Sequence, residues 1–173
     1  MRILGIDPGL RHTGWGLIDQ DGSRLSYVAD GTISTGGKAP MEERLLTLNA
    51  GLISVIKNYE PNEAAIEETF VNQNPAAALK LGMARGVVFM TPAQVGLKVS
   101  EYAANVIKKT VVGSGHASKE QIMMMVKTLL PKADPHSADS ADALAIAICH
   151  SSHRGINRLR SQIKSENSKA GAA

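Results

Sequence analysis

The chain has 173 residues, 43% hydrophobic and 20% charged, a size and balance that suit one globular domain. A single cysteine, Cys149, excludes an internal disulfide, and no stretch approaches the ~18 uninterrupted apolar residues of a membrane helix. The net charge of +3 is concentrated at the C-terminus, where residues 151–173 carry Arg154, Arg158, Arg160, Lys164 and Lys169 against Glu166 alone.

In chain order, "RILGID" reads as an apolar strand, "GWGLID" as a second and "SRLSYVADGTI" as a third, with "QDGS" as the hairpin turn between the last two. Tight turns make these three antiparallel. "PMEERLLTLNAGLISVIKNY" sets Met41, Leu45, Leu48, Leu52, Ile53 and Ile56 on one helical face between Pro40 and Pro61. "EAAIEETF" reads as a buried strand, "PAAALKLGMARGVVFMTPAQ" as a helix rich in small residues, and "LKVSEY" as a last strand. The alternation of strand and helix implies a parallel portion with right-handed crossovers. Three further helices are expected in "AANVIKKTVV", in "SKEQIMMMVKTLL" with a Ser118/Gln121 capping box, and in "SADSADALAIAICH". The pattern predicts a mixed five-stranded α/β sheet, three strands antiparallel and then two parallel, flanked by helices. It predicts a body of residues 1–152 and a basic tail, 153–173, too polar to pack. With no apolar leader behind a basic start, the expected location is cytoplasmic.

Four carboxylates stand out on that scaffold. Asp7 closes the first strand just before Pro8 and Gly9, and Glu67 interrupts an apolar run, where an unpaired charge is costly. Asp139 and Asp142, three apart, share one face of a helix near its start. Singly they have ordinary readings, as a turn residue, an ion-pair partner or helix caps. If the first strand is central with the next parallel strand beside it, Asp7 and Glu67 are neighbours, and a packed C-terminal helix brings two more. Converging carboxylates call for a cation, and hard oxygen ligands suit Mg²⁺ or Mn²⁺.

"ILGIDPGLRHTGWG", "AIEETF" with "ALKLGMARGVV", "EYAANVIKKTVVGSGHASKEQI" and "SADSADALAIAICH" resemble, in order and spacing, the motifs of the RuvC family of bacterial Holliday junction resolvases, over residues 1 to about 150. The resemblance implies a ribonuclease H-like fold, a homodimer, metal-dependent nicking of opposed strands at a four-way DNA junction, and a branch-migration complex of RuvA and RuvB as partner. It implies Asp7, Glu67, Asp139 and Asp142 as catalytic metal ligands for Mg²⁺, two ions per site, with Mn²⁺ as an alternative. It selects Glu67 over Glu68, which should point to the opposite face of the strand. Lys108 and Lys119, and more loosely Lys109, flank the glycine-containing "TVVGSGHAS" and are expected on DNA phosphates; a solvated helix surface explains any one of them equally well. Phe70, leading the polar stretch "FVNQNP", is expected to stack on a base at the junction centre, with a hydrophobic staple onto the next helix as the plain alternative. Gly82, Gly86, Ala76, Ala77, Ala78 and Ala84 are expected on a dimer face, and "MMM" at 123–125 in the core. Competing readings are a nuclease of the YqgF type, a nonenzymatic DNA-binding module of the same fold, and a fragment of a sugar kinase or actin-like ATPase, whose first phosphate loop "GIDPG" resembles.

Overall fold

A computed structural model of the chain describes the backbone of residues 1–68 and 74–170 and the side chains of 1–68 and 74–155. Phe70 lies outside the described residues. The element order is β1 (Arg2–Asp7), β2 (His12–Asp21), β3 (Arg24–Ser34), α1 (Met41–Tyr59), β4 (Glu63–Glu68), α2 (Pro75–Gln94), β5 (Lys98–Ala103), α3 (Ala104–Val112), α4 (Lys119–Leu129) and α5 (Ala138–Ala170). The strands form one sheet in the order β3-β2-β1-β4-β5. β1 pairs antiparallel with β2 and parallel with β4, which pairs parallel with β5. The mixed sheet expected from the pattern is therefore present, with β1 at its centre.

Period-two alternation sorts each strand's side chains onto two faces. Leu4, Ile6, Leu17, Ala64 and Ile66 meet Leu48, Leu52, Val55 and Ile56 of α1 and Ala84 and Val88 of α2. On the other face Ile3, Ile18, Ala65 and Tyr102 pack beneath α5, α3 and α4. What draws α5 onto that face is the absence of side chains at Gly5, Gly14 and Gly16. A Cβ at Gly5 would collide with the Ala143 carbonyl, one at Gly14 with the Asp139 carbonyl, and one at Gly16 with the Leu144 side chain. Three glycines at alternate places on β1 and β2 thus form a bare track on which the helix backbone rests.

The start of α5 is fixed from β3. Ser137 and Ser140 exchange hydrogen bonds between backbone N–H and hydroxyl at 3.1 Å in both directions, so Ser137 caps the helix. The helix-cap reading of Asp139 and Asp142 is thereby corrected: the cap is the serine, and neither carboxylate is taken up in capping. Asp30, whose carboxylate is completely buried, accepts from the Tyr27 hydroxyl at 2.7 Å and from the His136 backbone N–H at 3.1 Å.

Three finer expectations change. Ala84, assigned to a dimer face, is fully buried against the sheet, whereas a Cβ at Gly82 or Gly86 would meet only open space. The triple methionine is not all core: Met125 packs inward, but Met124 is 60% exposed. The boundary placed after residue 152 falls inside α5, and the first tail residues are bound to the body, since Arg154 pairs with Glu63 at 3.3 Å and the His153 ring lies tilted against Tyr102 with centroids 5.8 Å apart.

Candidate active site

β1 delivers Asp7 to the carboxyl end of the central strand, on the face that α5 crosses. Its antiparallel partner in register is Gly14, and Asp139 rests directly above that glycine. In the parallel direction Ile6 is paired with Ile66, so Asp7 and Glu67 each stand one residue beyond the pair, side by side on the same face. Glu68, by alternation, faces the other way. One helical turn separates Asp139 from Asp142, which places Asp142 above the β1–β4 seam.

These side chains open into a cleft of about 270 Å³ lined by Asp7, Glu67, Asp142, Lys108, Lys119 and the apolar Ile107. Lys108 comes from α3, and Lys119, the first residue of α4, brings its ammonium to 3.7 Å from the Asp142 carboxylate. Lys109, on the exposed side of α3, does not line the cleft. Nor does Asp139, which lines an adjoining cleft with His12, Asp30 and His136. Three of the four expected carboxylates and two of the three expected lysines are thus brought together.

The electrostatics are those of an unneutralised anionic site. Burial pushes the Asp7 carboxyl up to about 8, reinforced by the charges of Glu67, Asp142 and Asp139 and opposed by Lys119. Burial also raises Glu67, with Asp142 adding to the shift and Lys108 and Lys119 opposing it. Asp142 is raised by burial in spite of Lys119, since that largely exposed ammonium restores less than dehydration removes. Each of these carboxylates is stabilised in its ionised form by added positive charge, and the oxygen-only donor set matches a hard divalent cation. Among the described residues no three acidic or histidine side chains form a closed ligand cluster, so the fit is one of charge and donor type.

Two supporting networks were not foreseen from sequence. On the same face of the sheet, Tyr102, in register with Glu67, shares a 2.9 Å hydrogen bond with His150 Nδ1, and His150 Nε2 lies 2.7 Å from Glu63. Glu63 shares the face of Ala65 and Glu67, and this period of two was the available signal. The second network is the Asp30 latch, in which His136 meets a partner 106 positions away, beyond the reach of any local pattern.

A sequence profile of the family described as crossover junction endodeoxyribonuclease RuvC matches residues 3–150. The crossover junction endodeoxyribonuclease RuvC of Rhodopseudomonas palustris is 61% identical over 155 residues, spanning 90% of this chain and 89% of that protein. Among solved structures, Thermus thermophilus RuvC superposes with a TM-score of 0.80 at 31% identity, covering 91% of this chain and 97% of the other. The same organism's RuvC in complex with a Holliday junction substrate gives a TM-score of 0.81 at 32% identity, covering 87% and 93%. With its central Asp7, the glycine track beneath α5 and these relatives over nearly its whole length, the chain belongs to the RuvC family of crossover junction endodeoxyribonucleases.

Proposed function

We propose that the chain resolves four-way DNA junctions by metal-dependent paired nicking of opposed strands, with Asp7, Glu67, Asp142 and Asp139 as the metal-holding set. It is a DNA-hydrolysing nuclease by family. The observation that carries the site assignment is the cleft in which three dehydrated carboxylates from β1, β4 and α5 face two lysines from α3 and α4.

Mg²⁺, two ions per site, is the cation proposed, with Mn²⁺ as the alternative; such ions activate water and stabilise the leaving oxygen of a phosphodiester. The protein's own part is to hold oxygen donors rigidly. Asp7 and Glu67 are fixed by adjacent strands, and Asp142 and Asp139 by a helix whose first turn is clamped to β3. Lys108 and Lys119 supply the opposite charge at the mouth, where they bind the phosphate to be cut and its neighbour. Phe70 is proposed to stack on a base at the junction centre and hold it open.

Cutting two opposed strands needs two sites, and the proposed dimer face is α2. Leu79 and Met83 are exposed there, and Gly82 and Gly86 leave room for a second helix to approach. RuvA and RuvB are proposed as the branch-migration partners, in the cytoplasm. Among the described residues no helix is long and apolar enough to cross a membrane.

The test is an isosteric series, Asp7→Asn, Glu67→Gln and Asp142→Asn. Each should bind a junction nearly as the parent does yet cut it about 100-fold more slowly or worse, a loss of ~3 kcal/mol of transition-state stabilisation. Near-parental cutting by Asp7→Asn in Mg²⁺ would show the assigned site to be wrong.

A further inference from the structure

Beside the cleft, and continuous with it through Lys119 and Asp142, runs a second groove of about 470 Å³ between α4 and the start of α5. Met123 and Met124 of α4 and Ala138 and Ala141 of α5 line it. Met124 is more exposed than a methionine in a helix with a buried face needs to be, because Ile122 and Val126 already bury the opposite side of α4. Apart from the shared Lys119 and Asp142, nothing in the reaction proposed above uses this surface.

Its rim carries charge of a particular arrangement. Lys119 and Lys127 lie at its two ends, eight residues and so about 12 Å apart along α4, a span of a few phosphates of one strand. Among the described residues Lys127 pairs only with Asp134, which is 93% exposed, so water screens that bond and the ammonium stays available. Of the two acids on the rim, Glu120 is exposed at the helix start, where water screens its charge, and Asp142 belongs to the metal-holding set. A strand whose phosphate sits against Lys119 and leaves on the α4 side therefore crosses an apolar floor between two cations. Methionine thioethers are soft and adaptable, and contact the flat face of any base without reading its edge.

We propose that the α4–α5 groove is a nucleobase subsite, in which Met123 and Met124 receive a base of the cut strand next to the scissile phosphate while Lys119 and Lys127 hold its flanking phosphates. The inference rests on the junction-cutting reading above. It makes Met124 a substrate-binding residue whose contribution depends on a base being present and not on which base it is.

The experiment is a cycle between protein and substrate, using the full chain with synthetic junctions below saturation in Mg²⁺. Met124→Ser and Met124→Leu are compared on intact junctions and on junctions with a single abasic position at each of the two nucleotides on either side of the cut. Met124→Ser should cut intact junctions about fivefold more slowly, the size of one modest base contact, and Met124→Leu should restore the rate. At one abasic position the parent should slow by a similar factor and Met124→Ser should cost nothing further. A parental rate for Met124→Ser on intact junctions overturns the subsite, as does a penalty that persists at every abasic position, which would mark structural damage or a protein-binding surface. A parent chain that cuts no junction at all would instead overturn the reading on which the subsite rests.

Discussion

Replacing Asp7 by asparagine should make the metal-free protein more stable while slowing its chemistry about 100-fold or more. The folded carboxyl sits near pH 8 against an ordinary 3.8, because of burial first and then the charges of Glu67, Asp142 and Asp139. The folded state thus keeps the proton longer than the unfolded chain. Ionisation penalises the fold from about pH 4 upward, and the penalty grows until about pH 8. At pH 7 the full linkage is at most about 4 kcal/mol. Water entering the open cleft and relaxation of the three neighbours reduce it to roughly 1–2 kcal/mol, or about 2–8 °C in Tm for a chain of this size. Thermal melts in EDTA at pH 4, 5, 6, 7 and 8 measure the difference between Asp7→Asn and parent. It should be near zero at pH 4, rise to pH 8 in favour of the variant, and shrink on adding Mg²⁺, which stabilises the parent more. A difference that is independent of pH, or a variant that melts lower throughout, would refute the picture of a dehydrated, mutually repelling carboxylate set.

Three further outcomes are expected. Lys108→Ala and Lys119→Ala should each weaken junction binding and lower the salt slope by about one, while Lys109→Ala leaves the slope unchanged, as measured by fluorescence anisotropy across a salt series. Gly14→Ala should push the start of α5 off β2 and slow cleavage steeply with junction binding less affected, because its Cβ meets the Asp139 backbone; parental cleavage would show that the helix can be lifted at no cost to the site. Phe70→Ala should suppress the unstacking of a 2-aminopurine at the junction centre and slow cutting without lowering Tm, whereas an early melt with unstacking intact would return Phe70 to the core.

Local signals carried most of the scaffold. Period-two strands, the Pro75 start of α2 and the Ser118–Gln121 capping box all lie within a few residues of the feature they specify. The carboxylates were legible for a related reason: Asp7 next to a strand-ending Pro-Gly and Glu67 inside an apolar run break the local pattern, and such breaks mark function. What stayed hidden depends on long-range packing. Nothing near Gly5 and Gly14 announces that the backbone of residues 139–143 will rest on them. The Asp30–His136 latch and the Glu63–His150 contact join residues that share no local pattern. The exposure of Met124 within "MMM" follows from which face of α4 meets α5, and composition cannot give that. Arg154 read as tail because its partner, Glu63, lies 91 positions away.

The most direct measurement offers the chain a synthetic four-way junction and a linear duplex of the same arm sequence, each with Mg²⁺ and with EDTA, and maps the cuts on denaturing gels. Paired nicks at opposed positions of the junction, present only with the metal and absent from the duplex, are what the assigned cleft and family predict. Equal cutting of junction and duplex, or cutting that persists in EDTA, would contradict the account at its centre.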